Sequence, residues 1–146
     1  YLDEIRDPGN LGTILRLADW FGISTIYCSQ NSCELYNPKV IQSCMGAFLR
    51  VNVFIEDLKT LIESKHISNV YGAVLNGENI FNSQLENGLI VIGNEANGVQ
   101  ELNLKLLTKR LTIPKGNGSQ SESLNAAMAA SIIGSEFFRK LNSFPQ

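Results

Sequence analysis

The sequence predicts an α/β domain with a mostly parallel sheet flanked by helices, and three observations carry that expectation. Short apolar or β-branched runs alternate along the whole chain with stretches of helical periodicity. Runs such as LIVI are continuously apolar, as strands covered on both faces are. Turn residues bound each of them, and several of the following loops combine glycine with Asn, Ser or Glu.

Taken in order, LDEI at 2–5 reads as the first strand. A helix over 11–21 follows, with Leu11, Ile14, Leu15 and Ala18 on one stripe and Asn10 placed to cap it. STIYC forms a second strand, and Asn37-Pro38 opens a second helix with a capping residue and proline at the first helical position. Gly46 is placed to close that helix. VNVF, VYGAVL, LIVIG and RLTI supply four further strands, with helices expected over 57–65 and 99–107 between them. The last helix is expected from near Ser123 to Leu141. Leu124, Met128, Ser131 and Phe138 form one of its apolar faces, and Ala126, Ala130, Ile133 and Phe137 another. A helix apolar nearly all round is covered on both sides, either wholly inside the core or between the core and a second subunit.

Composition narrows the classes. The chain has 146 residues, 44% of them hydrophobic and 18% charged, which fits one globular domain and not a disordered segment. No stretch approaches the roughly 20 apolar residues of a membrane span, and no signal-peptide pattern precedes the first strand. The chain opens on Tyr1, already inside strand-like sequence, so further residues are expected upstream. A net charge of −2 does not mark a strongly basic nucleic-acid binder. The one small basic group, Lys109, Arg110 and Lys115, reads first as a solvated loop edge. Cys28, Cys33 and Cys44 lack metal-site spacing, and the single histidine, His66, has polar neighbours. Reduced thiols, a cytoplasmic location, no metal and no membrane partner are expected.

Ligands of open parallel sheets bind outside the carboxyl ends of the strands. Three strand-end loops carry unusual chemistry: RDPGNLG, GNEANG and PKGNGSQSESLN. None is a nucleotide-binding P-loop, because GxxxxGK[ST] is absent. Gly116-Asn117-Gly118 supplies only the first two glycines of a dinucleotide fingerprint, too late in the chain for a Rossmann dehydrogenase. Together and in this order, DPGNLGTILRLADWFG, LIVIGNEANGV and LTIP with ESLNAAMAASI resemble the three motifs of the SpoU (TrmH-like) RNA methyltransferases of the SPOUT superfamily.

The resemblance covers nearly the whole chain, read as one catalytic domain over 1–146 behind an expected N-terminal RNA-recognition domain. It implies a C-terminal trefoil knot, a homodimer, and methyl transfer from S-adenosylmethionine to a ribose 2′-hydroxyl of tRNA or rRNA. It places the cofactor against Ile92, Gly93, Glu95, Ile113, Pro114, Ser123, Leu124 and Asn125, with Leu75, Asn76 and Gly77 after the fourth strand. It assigns catalysis to Asn10, Arg16, Glu95, Ser123 and Asn125. A guanidinium is a poor base at neutral pH, so Arg16 is expected to hold a phosphate and stabilise the developing 2′-alkoxide, although service as the base stays open. Asn10 reads as a helix cap or as a positioning group, and Ser123 as a site residue or as the cap of the last helix. Gly93→Val is expected to abolish cofactor binding and leave the fold intact. Two departures from the family pattern stand out: a lengthened loop over 115–122 beginning with Lys115, and Ala96 where glycine is frequent. The alternative reading is a catalytically silent RNA- or nucleotide-binding module on the same fold.

Overall fold

A computed structural model describes residues 1–141. Its six strands form a sheet of order β3-β2-β1-β5-β4-β6, with every neighbouring pair parallel. They are β1 (Leu2–Asp3), β2 (Thr25–Cys28), β3 (Asn52–Ile55), β4 (Val70–Asn79), β5 (Leu89–Gly93) and β6 (Lys109–Thr112). The helices are α1 (Pro8–Trp20), α2 (Pro38–Ser43), α3 (Leu58–Lys65), α4 (Glu101–Leu104) and α5 (Ala126–Leu141). The α/β class and parallel sheet are as the sequence predicts.

Side-chain alternation sorts the core onto the two sheet faces. Tyr71 and Ile92 join Leu11, Leu15, Ile133 and Phe137 beneath α1 and α5. Their chain neighbours Val70 and Val91 join Leu58, Leu61 and Val99 on the opposite side, with α3. Burying each such aliphatic side chain contributes about 1.5–3 kcal/mol before ordering costs. The chain lays β1, β2 and β3 outward in one direction, then inserts β5 between β1 and β4. From β6 at the far edge, it returns to pack α5 on α1 and β5. This path is consistent with the C-terminal knot that the resemblance implies.

Local chemistry explains the helix boundaries and corrects four expectations. Asp7 caps α1, its carboxylate accepting from the Asn10 backbone N–H at 2.8 Å, with Pro8 starting the helix. Asn10 therefore lies inside the first turn and is not the cap. Asn37 caps α2 as expected, accepting from the Lys39 N–H at 2.9 Å. That helix ends at Ser43, however, and Gly46, at φ +82°, begins a short 3-10 turn over Ala47–Leu49. α4 is a single turn, not a helix over 99–107. Thr108 donates its backbone N–H to the Val70 carbonyl, and its hydroxyl accepts from the Val70 N–H, drawing the chain into β6. α5 begins at Ala126 and is capped by Asn125, whose Oδ1 accepts from the Ala127 and Met128 N–H groups at 2.9 and 3.2 Å. Ser123 caps nothing.

The two-faced reading of α5 is half realised within one chain. Ala126, Ala130, Ile133 and Phe137 are buried, whereas Met128 is 56% exposed and Leu124, just ahead of the helix, 45%. All three cysteines are free thiols, with Cys28 and Cys44 buried. Burial pushes the Cys28 thiol up to about 11. His66 is exposed and sits at the end of α3 with φ +51°.

Candidate active site

The carboxyl ends of β5 and β6, with the middle of β4, enclose a cavity of about 740 Å³. Its first wall is the loop after β5. The Asn94 carboxamide oxygen accepts from the Ala96 and Asn97 N–H groups at 2.9 and 2.8 Å, a side-chain turn that curls the loop back on itself. Asn94 and Gly98 then exchange backbone hydrogen bonds at 3.1 and 3.0 Å. This closure requires glycine at 93. A Cβ there would stand 2.1 Å from the Gly98 carbonyl carbon and 2.2 Å from the Val99 nitrogen. Gly93→Val would break the loop itself, so the expectation that it leaves the fold intact is overturned.

The second wall is the segment from β6 into α5, including Ile113, Pro114, Ser123 and Leu124. The third is a bulge in β4, where pairing to β6 slips between Ala73 and Glu78 and turns Leu75 and Asn76 toward the cavity. These two residues thus stand within β4, not after it. Gly77 is not part of the wall. A Cβ there would meet the Arg110 carbonyl at 2.7 Å, so this glycine permits close approach of β4 to β6.

Of the residues assigned to the cofactor, Leu75, Asn76, Ile92, Gly93, Glu95, Ile113, Pro114, Ser123 and Leu124 line this cavity. Asn125 stands at its edge and faces α1. Its Nδ2 donates to Asn10 Oδ1 at 2.8 Å, across 115 residues of sequence. The Asn10 Nδ2 in turn donates to Glu95 Oε1, across 85 residues. Asn10 is buried at 8% exposure, while Glu95 is exposed. One carboxylate oxygen is therefore held from behind, and the group still faces solvent at the cavity mouth. Sheet order causes this meeting: β5 lies beside β1, bringing the Glu95 loop to the first turn of α1, and α5 packs on α1.

Arg16 is not part of this cluster. It is exposed on α1, makes no hydrogen bond or ion pair with any described residue, and does not line the cavity. Gly9, Thr13, Arg16 and Trp20 recur at helical spacing on its outward side, and Trp20 is 83% exposed. Sequence reasoning missed Arg110, Thr112, Glu122 and Ile133 as cavity residues. Only the burial of α5 against β5 brings Ile133 there, and no local signal marks it. The Asn94 turn, by contrast, was legible as Gly-Asn-Glu, a common turn sequence. Among the described residues, no three His, Cys, Asp or Glu side chains gather where they could hold a metal ion. No helix among them is long and apolar enough to cross a membrane.

Comparison with known proteins agrees with this geometry. The SpoU rRNA Methylase family model matches residues 1–135. A 23S rRNA (guanosine(2553)-2′-O)-methyltransferase of Bacillus subtilis (strain 168) is 30% identical over 136 residues, covering 90% of this chain and 54% of that protein. A TrmH-family protein from Porphyromonas gingivalis superposes with a TM-score of 0.85 at 40% identity, over 93% of this chain and 57% of the other. The SpoU methyltransferase AviRb from Streptomyces viridochromogenes, solved with AdoMet, superposes at 0.86 and 27% identity, over 96% of this chain and 58% of the other. The chain thus spans about half the length of the relatives it matches. With two of the motif loops lining one cavity, Asn10 of the first hydrogen-bonded to both, and the family model matching residues 1–135, this protein belongs to the SpoU rRNA Methylase family.

Proposed function

We propose that this chain is the catalytic domain of an S-adenosylmethionine-dependent RNA methyltransferase that modifies a ribose 2′-hydroxyl of rRNA or tRNA. The observation that carries the reading is the Asn125–Asn10–Glu95 chain at the mouth of the cavity, built from all three family motifs. The cavity fits the cofactor. Its volume of about 740 Å³ suits a nucleoside-sized ligand, and its wall mixes Ile92, Ile113, Pro114 and Leu124 with open backbone in the 94–98 loop. Leu75, Asn76, Gly93 and Ser123 complete the set that would hold it. When bound, S-adenosylmethionine supplies a methyl already activated on a sulfonium.

The remaining work belongs to side chains. Asn10 fixes one Glu95 oxygen, which leaves the other to accept a hydrogen bond from the target hydroxyl and orient it. Arg16 supplies a planar cation for a phosphate and for the charge that develops on the 2′-oxygen, with the proton leaving late or to water. Its position outside its own chain's cavity supports a site completed across a homodimer. The exposed Trp20 and Met128 on the adjoining α1 and α5 support the same assembly. An RNA partner and three free thiols support a cytoplasmic location.

The test is methyl transfer from labelled cofactor by the full-length protein to RNA from cells lacking its gene. Label recovered in 2′-O-methylated nucleosides supports the reading. Label confined to bases contradicts it, and cofactor binding with no transfer favours the silent module.

A further inference from the structure

We propose that Lys115 is a positioning residue. It clasps the lengthened loop over 115–122 shut, pre-forming one wall of the cofactor cavity, and acts through that loop instead of touching the cofactor. The inference rests on the reading that this cavity binds S-adenosylmethionine.

The loop has little else to hold it. Every residue from Pro114 to Asn125 is exposed, so no packing fixes its path between β6 and α5. Residues 115–122 make two hydrogen bonds among the described residues. In one, the Ser119 N–H donates to the Gly116 carbonyl at 3.2 Å, closing a turn in which Gly118 takes φ +81°. In the other, the Lys115 ammonium donates to the Ser121 carbonyl at 2.7 Å and spans the base of that turn. Lys115, Gly116, Ser119, Ser121 and Glu122 all line the cavity. A charge-assisted bond across the loop base therefore sets the shape of the wall.

Opening the clasp leaves eight exposed residues to be ordered when ligand binds, and that ordering cost is subtracted from affinity. The bond to Ser121 uses one of the three ammonium donors, so direct recognition of the methionyl carboxylate is the rival role that the test must separate. Two ligands separate these roles. S-adenosylmethionine carries the carboxylate, whereas 5′-methylthioadenosine keeps the adenosyl group and lacks it.

Calorimetric titration of wild type, Lys115→Met and Lys115→Arg with both ligands tests the proposal. Lys115→Met should bind each ligand about tenfold more weakly, and by the same factor. Lys115→Arg, which can still donate to the Ser121 carbonyl, should stay within threefold of wild type. In the full-length enzyme, Lys115→Met should raise KM for the cofactor and leave kcat unchanged. A loss confined to S-adenosylmethionine would overturn the clasp in favour of direct contact, and undiminished affinity for both would overturn it outright. A wild-type protein that binds neither ligand would overturn the cofactor reading, and the clasp with it.

Discussion

Two hollows open along the carboxyl edge of the sheet, on either side of the loop that follows β5, and they are lined very differently. The one over β4, β5 and β6 is the cavity of about 740 Å³ described above, with Ile92, Ile113, Pro114 and Leu124 beside open backbone. The other, of about 520 Å³, lies over β1, β2 and β3 and is ringed by Asp3, Glu4, Glu56, Asp57 and Glu101. Glu4 stands at φ +55° and already pairs with Arg6 at 2.7 Å and Asn31 at 2.9 Å. A parallel sheet with helices on both faces makes clefts at this edge as a matter of geometry. Side chains then decide what can enter. A ring of carboxylates repels RNA phosphates, and it offers an adenosyl group little apolar wall. Site position follows from topology, whereas site identity follows from the loop residues.

The largest effect expected on this contrast is chemical. Arg16→Ala in the full-length protein should lower single-turnover methyl transfer by about 10²–10³-fold and leave cofactor affinity within threefold of wild type. Arg16 is exposed and unpaired, so its truncation should cost little stability. Arg16→Lys should recover only part of the rate, because a point charge lacks the planar fork. Transfer within threefold of wild type by Arg16→Ala would return the arginine to the solvent.

Next in size is the glycine that shapes the cavity. Gly93→Val should destabilise the domain by about 3 kcal/mol, since the added carbon meets backbone on the neighbouring loop. Urea melts measure this directly. A variant as stable as wild type would show that the 94–98 loop yields freely, removing the rigid wall on which the comparison depends.

The smallest effect comes from behind the cavity, on α5. The Arg139 guanidinium holds the Glu136 carboxyl below the usual carboxylate range against the opposing effect of burial, and Lys140 adds to the lowering. A folded pKa depressed in this way gives stability that is full above the unfolded value of about 4.3 and is lost as pH falls through the folded value. Glu136→Gln should therefore be less stable than wild type at pH 7, with a smaller gap at pH 3. An equal gap at both pH values would mean that packing, not charge, is what the substitution removes.

Much of the fold was legible because each strand announces itself locally. LIVIG is a continuous apolar run and STIYC a β-branched and apolar one, and helices pack on both faces of the sheet they join. Boundaries failed where two local signals competed. Asn10 is a good capping residue, but Asp7-Pro8 starts the helix earlier, and Asn10 is thereby free to bridge Glu95 and Asn125. The helix expected over 99–107 stops after one turn because Thr108 is bound to Val70, a partner 38 residues away that no window of sequence reveals. The same holds for the site. The glycine-rich loops are visible one by one, and family resemblance collects them, but only the insertion of β5 beside β1 brings Glu95 to Asn10. The bulge that turns Leu75 and Asn76 inward, and assigns Gly77 to packing, depends on pairing with β6 and has no local signature.

The central claim is that the glycine-lined cavity, and not the acidic hollow, holds S-adenosylmethionine. Leu124 lines the first at 45% exposure and Leu102 the second at 77%, so an arginine at either position should be tolerated by the fold. Calorimetric titration of Leu124→Arg and Leu102→Arg with S-adenosylmethionine, after equal thermal melts confirm folding, separates the two sites. The account predicts that Leu124→Arg loses binding by at least about tenfold, from steric and charge exclusion of a cationic ligand, while Leu102→Arg matches wild type. Binding abolished by Leu102→Arg and untouched by Leu124→Arg would contradict it.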